Sequence, residues 1–287
     1  MSAAVGEERI VRLLDEDADL AEWIAPERRA AARTELLARA VTLPPGTRIE
    51  RVPPLGDRSA HGLVLLDGLV GRSMRLDGTT TMQLLGPGDL MEIPGSVTDT
   101  GLVPVAISWT ALEPTTVALL DERLMQRALR WPELPAALLA RASVQSLRLG
   151  TYGAISALAR VEDRIETLLW FLAERWGRVG SRGVVLPLRL THETLGTMLG
   201  AKRPTVSLAL KQLAADGLVK RRDDGAWLLL RPPGEMPFAD DRPSGEVQLL
   251  ARRADEATVG ADAISLPTPP HRPRRPLWPP AAAAARR

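Results

Sequence analysis

The stretch 191–222, THETLGTMLGAKRPTVSLALKQLAADGLVKRR, constrains this chain more than any other. It reads as two short helices joined by a tight turn and followed by a basic strand. Thr191 is placed to cap the first helix, because its hydroxyl accepts from free backbone N–H groups. Leu190 before the cap and Leu195 in the first turn suit a hydrophobic staple. Gly200 marks the stop, where a left-handed residue costs glycine little. The second helix begins near Lys202, with Pro204 in its first turn, where a missing N–H does no harm.

Val206, Leu210 and Leu213 recur at helical spacing and predict a buried back. Pro204, Thr205, Leu208, Lys211 and Gln212 fall on the opposite side, and Arg203 sits at the N-terminal tip. Such a helix can enter a major groove and present its first turns to base edges. Gly217 ends it, and Leu218 is set to fold back on the last turn. A strand over 218–222 then meets a DDG turn at 223–225, from which AWLLLR returns. That is hairpin chemistry, and it makes a wing. Lys220, Arg221 and Arg222 lie where a wing touches phosphates. A plain helical hairpin inside another domain is the bland reading of the same residues. The ordered run of turn glycine, first-turn proline, closing glycine and basic strand favours DNA binding.

The rest of the composition narrows the function. A chain of 287 residues has room for two small domains and connecting helices. Net charge is only +2, so nucleic-acid binding rests on local basic clusters rather than on bulk charge. With no cysteine, disulfides, thiol catalysis and cysteine-held iron–sulfur clusters drop out. His61, His192 and His271 are far apart and follow no metal-ligand pattern. The opening MSAAVGEERI lacks signal-peptide character, and no apolar run reaches membrane-spanning length. A cytoplasmic protein without membrane association is the expectation. No nucleophile motif or phosphate-binding glycine loop appears, and the expectation is a protein that is not an enzyme and holds no cofactor or metal.

Five segments are expected. Residues 1–40 read as N-terminal helices, with apolar positions at Ile10, Leu13, Leu14, Leu36 and Leu37, and Pro26 opening a second helix. Residues 41–120 carry short apolar runs broken by Gly, Pro and Asp, which argue for a β-sandwich or barrel. Residues 121–160 are connecting and dimerisation helices, the longest predicted over 134–159. In 161–232 an amphipathic helix with Ile165, Leu168, Leu169 and Leu172 on one face precedes the winged segment. Residues 233–287, rich in Pro, Ala and Arg, read as a disordered tail.

This order of parts resembles the Crp/Fnr family, the cyclic-AMP receptor protein and its relatives. The resemblance covers roughly 41–231. It is most specific at LVLLDGLVGRSMRL…MQLLGPGDL in 63–90 and at RIETLLWFLAERWG…LPLRLTHETLGTMLGAKRPTVSLALKQLAADGLV in 164–219. It implies an α+β architecture with an N-terminal cyclic-nucleotide-binding-type β-roll, a long dimerisation helix and a C-terminal winged helix-turn-helix. The function it implies is sequence-specific DNA-binding transcriptional regulation by a homodimer, with RNA polymerase as a further partner. The alternative is a ligand-binding or scaffold protein whose winged helix contacts protein.

Two departures from the family pattern matter. Its nucleotide binders continue GD with Phe-Gly-Glu and later place an Arg before Ser/Thr-Ala. Here GPGDL runs into Met91, Glu92, Ile93 and Pro94, and no Lys or Arg occurs between Arg75 and Arg123. A bound phosphate needs charge-assisted donors, usually Arg. The β-roll is therefore expected not to take cyclic nucleotide; its effector, if it has one, is left open. His61 alone in the domain is read as a surface residue. In the reader, Arg203 matches the family's first base-reading Arg. Pro204 stands for an acidic reader and Leu208 for a second Arg, so the operator is expected to differ from the best-known palindrome.

The DNA-binding set is thus Lys202, Arg203, Pro204, Thr205, Ser207, Leu208, Lys211, Lys220, Arg221 and Arg222. Leu208 packing against the wing is the competing reading for that residue. For dimerisation, Val144, Leu147, Thr151, Ile155 and Leu158 follow a heptad-like step, with Leu138, Ala142, Leu149 and Tyr152 as a competing one. A parallel homodimer is expected, since both readers must face one side of the DNA.

Overall fold

The computed structural model describes residues 7–52, 55, 60–92 and 105–230. Strand β1 (Glu7–Arg12) is followed by three short helices, α1 (Leu13–Glu16), α2 (Ala18–Glu22) and α3 (Arg29–Glu35), and by β2 (Leu37–Leu43). The all-helical expectation for 1–40 is corrected here. Ile10, Leu13 and Leu14 mimic helical spacing, but β1 and β2 pair antiparallel, and Val11 rather than Ile10 turns inward against Ala38. Ile10 is 65% exposed. Pro26 lies in the turn before α3 rather than in its first turn.

Six strands follow: β3 (Leu63–Asp67), β4 (Val70–Leu76), β5 (Thr79–Leu85), β6 (Leu90–Met91), β7 (Ala106–Ala111) and β8 (Thr115–Leu119). They form a five-stranded sheet in the order β1-β2-β8-β3-β6 and a three-stranded sheet in the order β5-β4-β7. The β4–β5 hairpin closes on Asp77-Gly78, both with positive φ (47° and 75°), the two-residue turn whose twist matches its strands.

Strands β3 and β8 of the larger sheet are buried on both faces, which is why they read as unbroken apolar runs. Val41, Leu43, Leu63, Leu65, Val117 and Leu119 point into the roll with Val70, Leu85, Trp109 and Ala111 of the smaller sheet. Ala38, Ala40, Val64, Leu66, Ala118 and Leu120 point the other way, onto Leu13, Leu14, Leu20, Ile24 and Leu36.

Helix α4 (Glu122–Ala128) and the long α5 (Glu133–Ala157) add Leu124, Leu134 and Leu138 to that second core. Pro132 caps α5 and Pro135 falls in its first turn, so neither interrupts it. One face of α5 is locked to the roll. Arg141 donates twice to the buried Asp17, at 2.5 and 2.8 Å. Gln145 brackets Leu90, accepting from its N–H at 2.9 Å and donating to its carbonyl at 2.8 Å.

The remaining elements are α6 (Val161–Trp176), β9 (Arg178–Gly180), β10 (Gly183–Leu186), α7 (His192–Leu199), α8 (Arg203–Ala215), β11 (Val219–Arg221) and β12 (Trp227–Leu229). In α6, Ile165, Leu168, Leu169 and Leu172 are all buried, as their spacing predicts. The four strands form one sheet, ordered β11-β12-β10-β9. The β9–β10 hairpin has no counterpart in the sequence-based expectation: its strands are short and glycine-flanked, and they carry little periodicity. Gly183 is required there, since a Cβ at its φ of 138° would meet the Leu229 carbonyl oxygen at 2.1 Å. The described residues fall into two compact units, those within 1–165 with Leu190–Gln212, and Glu166–Arg189 with those within 213–230. Among the described residues no helix is long and apolar enough to cross a membrane. The tail expected over 233–287 lies outside the described residues.

Candidate nucleic-acid interface

Helix α7 starts where its cap dictates. Thr191 Oγ1 accepts from the Thr194 N–H at 3.0 Å, and Gly200 closes the helix in the left-handed conformation, φ 63°. Gly196 permits the tight turn: a Cβ there would press on the Ala201 carbonyl oxygen at 2.6 Å. The fully buried Val206, Ala209, Leu210 and Leu213 form the back of α8. Its opposite side is open. Lys202, Arg203, Pro204, Thr205 and Lys211 are exposed, and Leu208 is 69% exposed, so the packing role for Leu208 is not realised. Among the described residues no hydrogen bond or ion pair engages the Arg203 guanidinium.

Ser207 departs from the expected set. Its hydroxyl donates to the Arg203 carbonyl at 3.0 Å and accepts from His192 Nδ1 at 2.8 Å. It pins α8 to α7 and is half-buried, so its polar atom is already occupied.

Helix α8 ends in paired capping bonds, Gly217 N–H to the Ala214 carbonyl (3.2 Å) and Leu218 N–H to the Leu213 carbonyl (2.9 Å). This is the Schellman arrangement, and Gly217, at φ 68°, supplies its left-handed residue. The wing then turns through 223–225. Gly225 N–H bonds to the Arg222 carbonyl (3.0 Å), Arg222 N–H to the Ala226 carbonyl (2.9 Å), and Gly225 has φ 84°. That is a three-residue hairpin loop with a glycine bulge.

The wing's three basic residues are not equivalent. Lys220 is exposed. The Arg221 guanidinium lies over the Trp227 ring, 4.4 Å from its centroid. Burial lowers the Arg221 pKa from its ordinary value, opposed by the charge of Asp224, and a guanidinium remains protonated at neutral pH. Arg222 folds onto Asp224, with contacts of 3.0 and 3.1 Å. Hydrogen bonding from Arg222, then from the Ala226 N–H, holds the Asp224 carboxyl below its ordinary pKa. That pairing therefore contributes to the wing above the carboxylate's unfolded pKa and is lost as pH falls through the lower folded value.

Arg182, in the β9–β10 turn, joins Lys220, Arg221, Arg222 and Leu228 around a cleft of about 430 Å³. Sequence reasoning missed it; the only signal was an S-R-G turn between two valine-bearing runs.

A description of the Crp-like helix-turn-helix domain matches residues 163–234. The regulatory protein CysR of Synechococcus elongatus is 30% identical over 163 residues, covering 53% of this chain and 66% of CysR. The chain belongs to the Crp/Fnr family of transcriptional regulators. Solved structures agree on the fold. A cyclic nucleotide-binding domain containing protein from Listeria monocytogenes superposes with a TM-score of 0.56 at 14% identity, over 74% of this chain and 96% of that one. A CRP-family transcriptional regulator from Thermus thermophilus does so at 0.50 and 23%, over 66% and 91%.

In this Crp/Fnr chain the GPGD loop is self-braced. Asp89 accepts from the Gly86 N–H at 2.8 Å, and Arg148 of α5 approaches Asp89 at 3.7 Å. Glu92, just after β6, pairs with Arg72 of β4 at 2.7 Å. His61 is exposed.

The residues expected to form a dimer seam separate along α5. Val144 is 44% and Leu147 73% exposed, as is Leu139 at 70%. Thr151 is half-buried, and Leu158 is the half-buried C-cap. Ile155 is a correction: at 3% exposure it faces the chain's own interior with Tyr152. The exposed Ala154 keeps the alternating step instead, giving Ala140, Val144, Leu147, Thr151, Ala154 and Leu158.

Proposed function

We propose that this chain acts as a parallel homodimer that binds a two-fold symmetric DNA site and regulates transcription there, with RNA polymerase as its partner and without control by cyclic nucleotide. The observation that carries the reading is α8: a fully buried apolar back beneath an open face bearing Arg203, Thr205, Leu208 and Lys211. Arg203 makes the bidentate contact to guanine O6 and N7, and Leu208 offers an apolar contact to a thymine methyl. Lys202, Lys211, Lys220, Arg221 and Arg182 supply phosphate contacts, which position the reader without selecting sequence. The Crp/Fnr membership supports DNA binding by this segment. Salt-dependent binding to DNA tests it: affinity that does not fall with rising salt points to a winged helix that contacts protein.

Arg222 is held in reserve by Asp224. Asp224→Asn removes that carboxylate charge and frees a cation beside the cleft. Affinity for random DNA rises, and the slope of log affinity against log salt steepens by about 0.9 for the added phosphate contact. Fluorescence anisotropy on random duplex at several salt concentrations reads both; an unchanged slope removes Arg222 from the phosphate set.

Cyclic AMP and cyclic GMP do not bind at micromolar concentration. The stretch 76–122 supplies no cation, and the guanidinium of Arg72 is already matched by Glu92. Calorimetry giving a micromolar dissociation constant for either nucleotide overturns this.

A further inference from the structure

Helix α4 carries Arg123 and Arg127, and Arg130 follows in its tightened last turn, where the Arg130 N–H bonds to the Arg127 carbonyl at 3.1 Å. Positions i, i+4 and i+7 share one helix face. Together with Thr34 and Glu35 at the end of α3 and Leu37 at the start of β2, the three arginines line a cleft of about 500 Å³. That is the size of a small-molecule site, roughly 300–1,000 Å³.

The fold gives these cations little to do. Elsewhere in the same layer arginines meet carboxylates: Arg9 with Glu16 at 3.2 Å, Arg33 with Asp15 at 3.3 Å and Arg39 with Glu8 at 2.7 Å. Among the described residues none gives Arg123 a hydrogen bond or an ion pair. Arg123 stands in the first turn of α4, where the helix dipole disfavours a cation. It is also one turn from Arg127, a like charge. Arg127 donates to the Leu37 carbonyl at 3.3 Å, a neutral acceptor. Arg130 reaches Glu35 at 3.7 Å, but that carboxylate already accepts from Trp131 Nε1–H at 3.2 Å. The cleft is therefore net positive, and its cations are exposed and ready for an anion.

We propose that the α3–α4 cleft is a site for a small molecule bearing two linked phosphates, held by Arg123 and Arg127 with Arg130 at the rim. A guanidinium presents paired donors that match phosphate oxygens. Arg123 and Arg127 are spaced roughly 6 Å along the helix axis, at a rise of about 1.5 Å per residue. That spacing suits two linked phosphates, one at each guanidinium. A cyclic nucleotide carries one diester charge and is a poor match. None of the cleft's residues belongs to α7, α8 or the wing.

Calorimetry on the full-length protein, in buffer free of divalent cations, tests the site with inorganic pyrophosphate, ADP and orthophosphate. Pyrophosphate binds saturably, and orthophosphate binds at least about tenfold more weakly, having lost one guanidinium contact. ADP binding tighter than pyrophosphate marks a nucleoside diphosphate as the ligand; equal affinity marks the diphosphate alone. The double variant Arg123→Gln, Arg127→Gln weakens pyrophosphate at least about tenfold while circular dichroism shows the fold retained. Glu35→Gln removes the opposing charge, keeps an acceptor for Trp131, and binds pyrophosphate more tightly than the wild type. Lys220→Ala, in the wing, leaves pyrophosphate binding unchanged. In ¹⁵N-labelled protein the Trp131 indole N–H, assigned from Trp131→Phe, shifts along the same isotherm and needs no change to the arginines. Neither saturable heat nor an indole shift, or equal affinity for orthophosphate, overturns the site. So does loss of binding in Lys220→Ala but not in the double variant, which places the anion in the wing cleft. Hexaglutamate binding through Arg123 and Arg127 where pyrophosphate does not bind also overturns it, and makes this face a contact for an acidic protein.

Discussion

Leu147→Glu converts the dimer to a monomer and takes operator binding with it. Leu147 is 73% exposed in the single chain, and Val144 beside it 44%, on a helix otherwise bonded to its own β-roll through Arg141 and Gln145. A parallel partner would cover both. Burying one leucine is worth roughly 1.5–3 kcal/mol, so the symmetric pair accounts for about 3–6 kcal/mol of association. Two glutamates facing each other along a parallel seam add repulsion. Light scattering at micromolar concentration reads the result, while circular dichroism confirms that α5 itself persists. A dimer unaffected by Leu147→Glu places the interface elsewhere. Ile155→Glu makes the contrasting case: that side chain is buried within its own chain, so the variant unfolds rather than dissociates.

Arg203→Ala costs roughly 1–3 kcal/mol of affinity for the operator and relaxes one base position in each half-site, as a lost bidentate guanine contact should. Affinity for random DNA changes little. Lys220→Ala behaves in the opposite way: it weakens all sequences alike and lowers the salt slope by about one. Binding isotherms on specific and random duplexes at matched salt separate the two. If Arg203→Ala weakens both duplexes equally, Arg203 is a phosphate contact and the base reading lies with other residues of α8.

The reader was legible because its punctuation is local. Thr191, Gly200, Pro204 and Gly217 each act within one turn of themselves, and each sits where its chemistry requires. The apolar runs of the β-roll were legible as strands for a related reason. Runs such as LVLL and VALL serve strands covered on both faces.

What was lost needed tertiary information. Ile10, Leu13 and Leu14 carry a helix-like spacing, yet β2 recruits residues 7–12 as an edge strand. Ser207 and Thr205 are two residues apart, and only the geometry of α7 shows that one faces His192 and the other solvent. Ile155 and Ala154 are neighbours, and only the tertiary packing shows that the first is buried and the second exposed. Arg182 reaches the wing cleft because β10 pairs with β12, Val184 with Leu229 and Leu186 with Trp227, far apart in the chain. The Arg72–Glu92 pair joins β4 to the end of β6, a contact that no local pattern announces.

The most direct measurement is selection of bound duplexes from a randomised DNA pool by the purified full-length protein, followed by footprinting of the enriched sequence. The account predicts a two-fold symmetric site whose half-site centres lie one helical turn apart, roughly 34 Å, with a guanine in each half that Arg203→Ala no longer requires. Enrichment of a single unpaired half-site, or no enrichment over the starting pool, contradicts it.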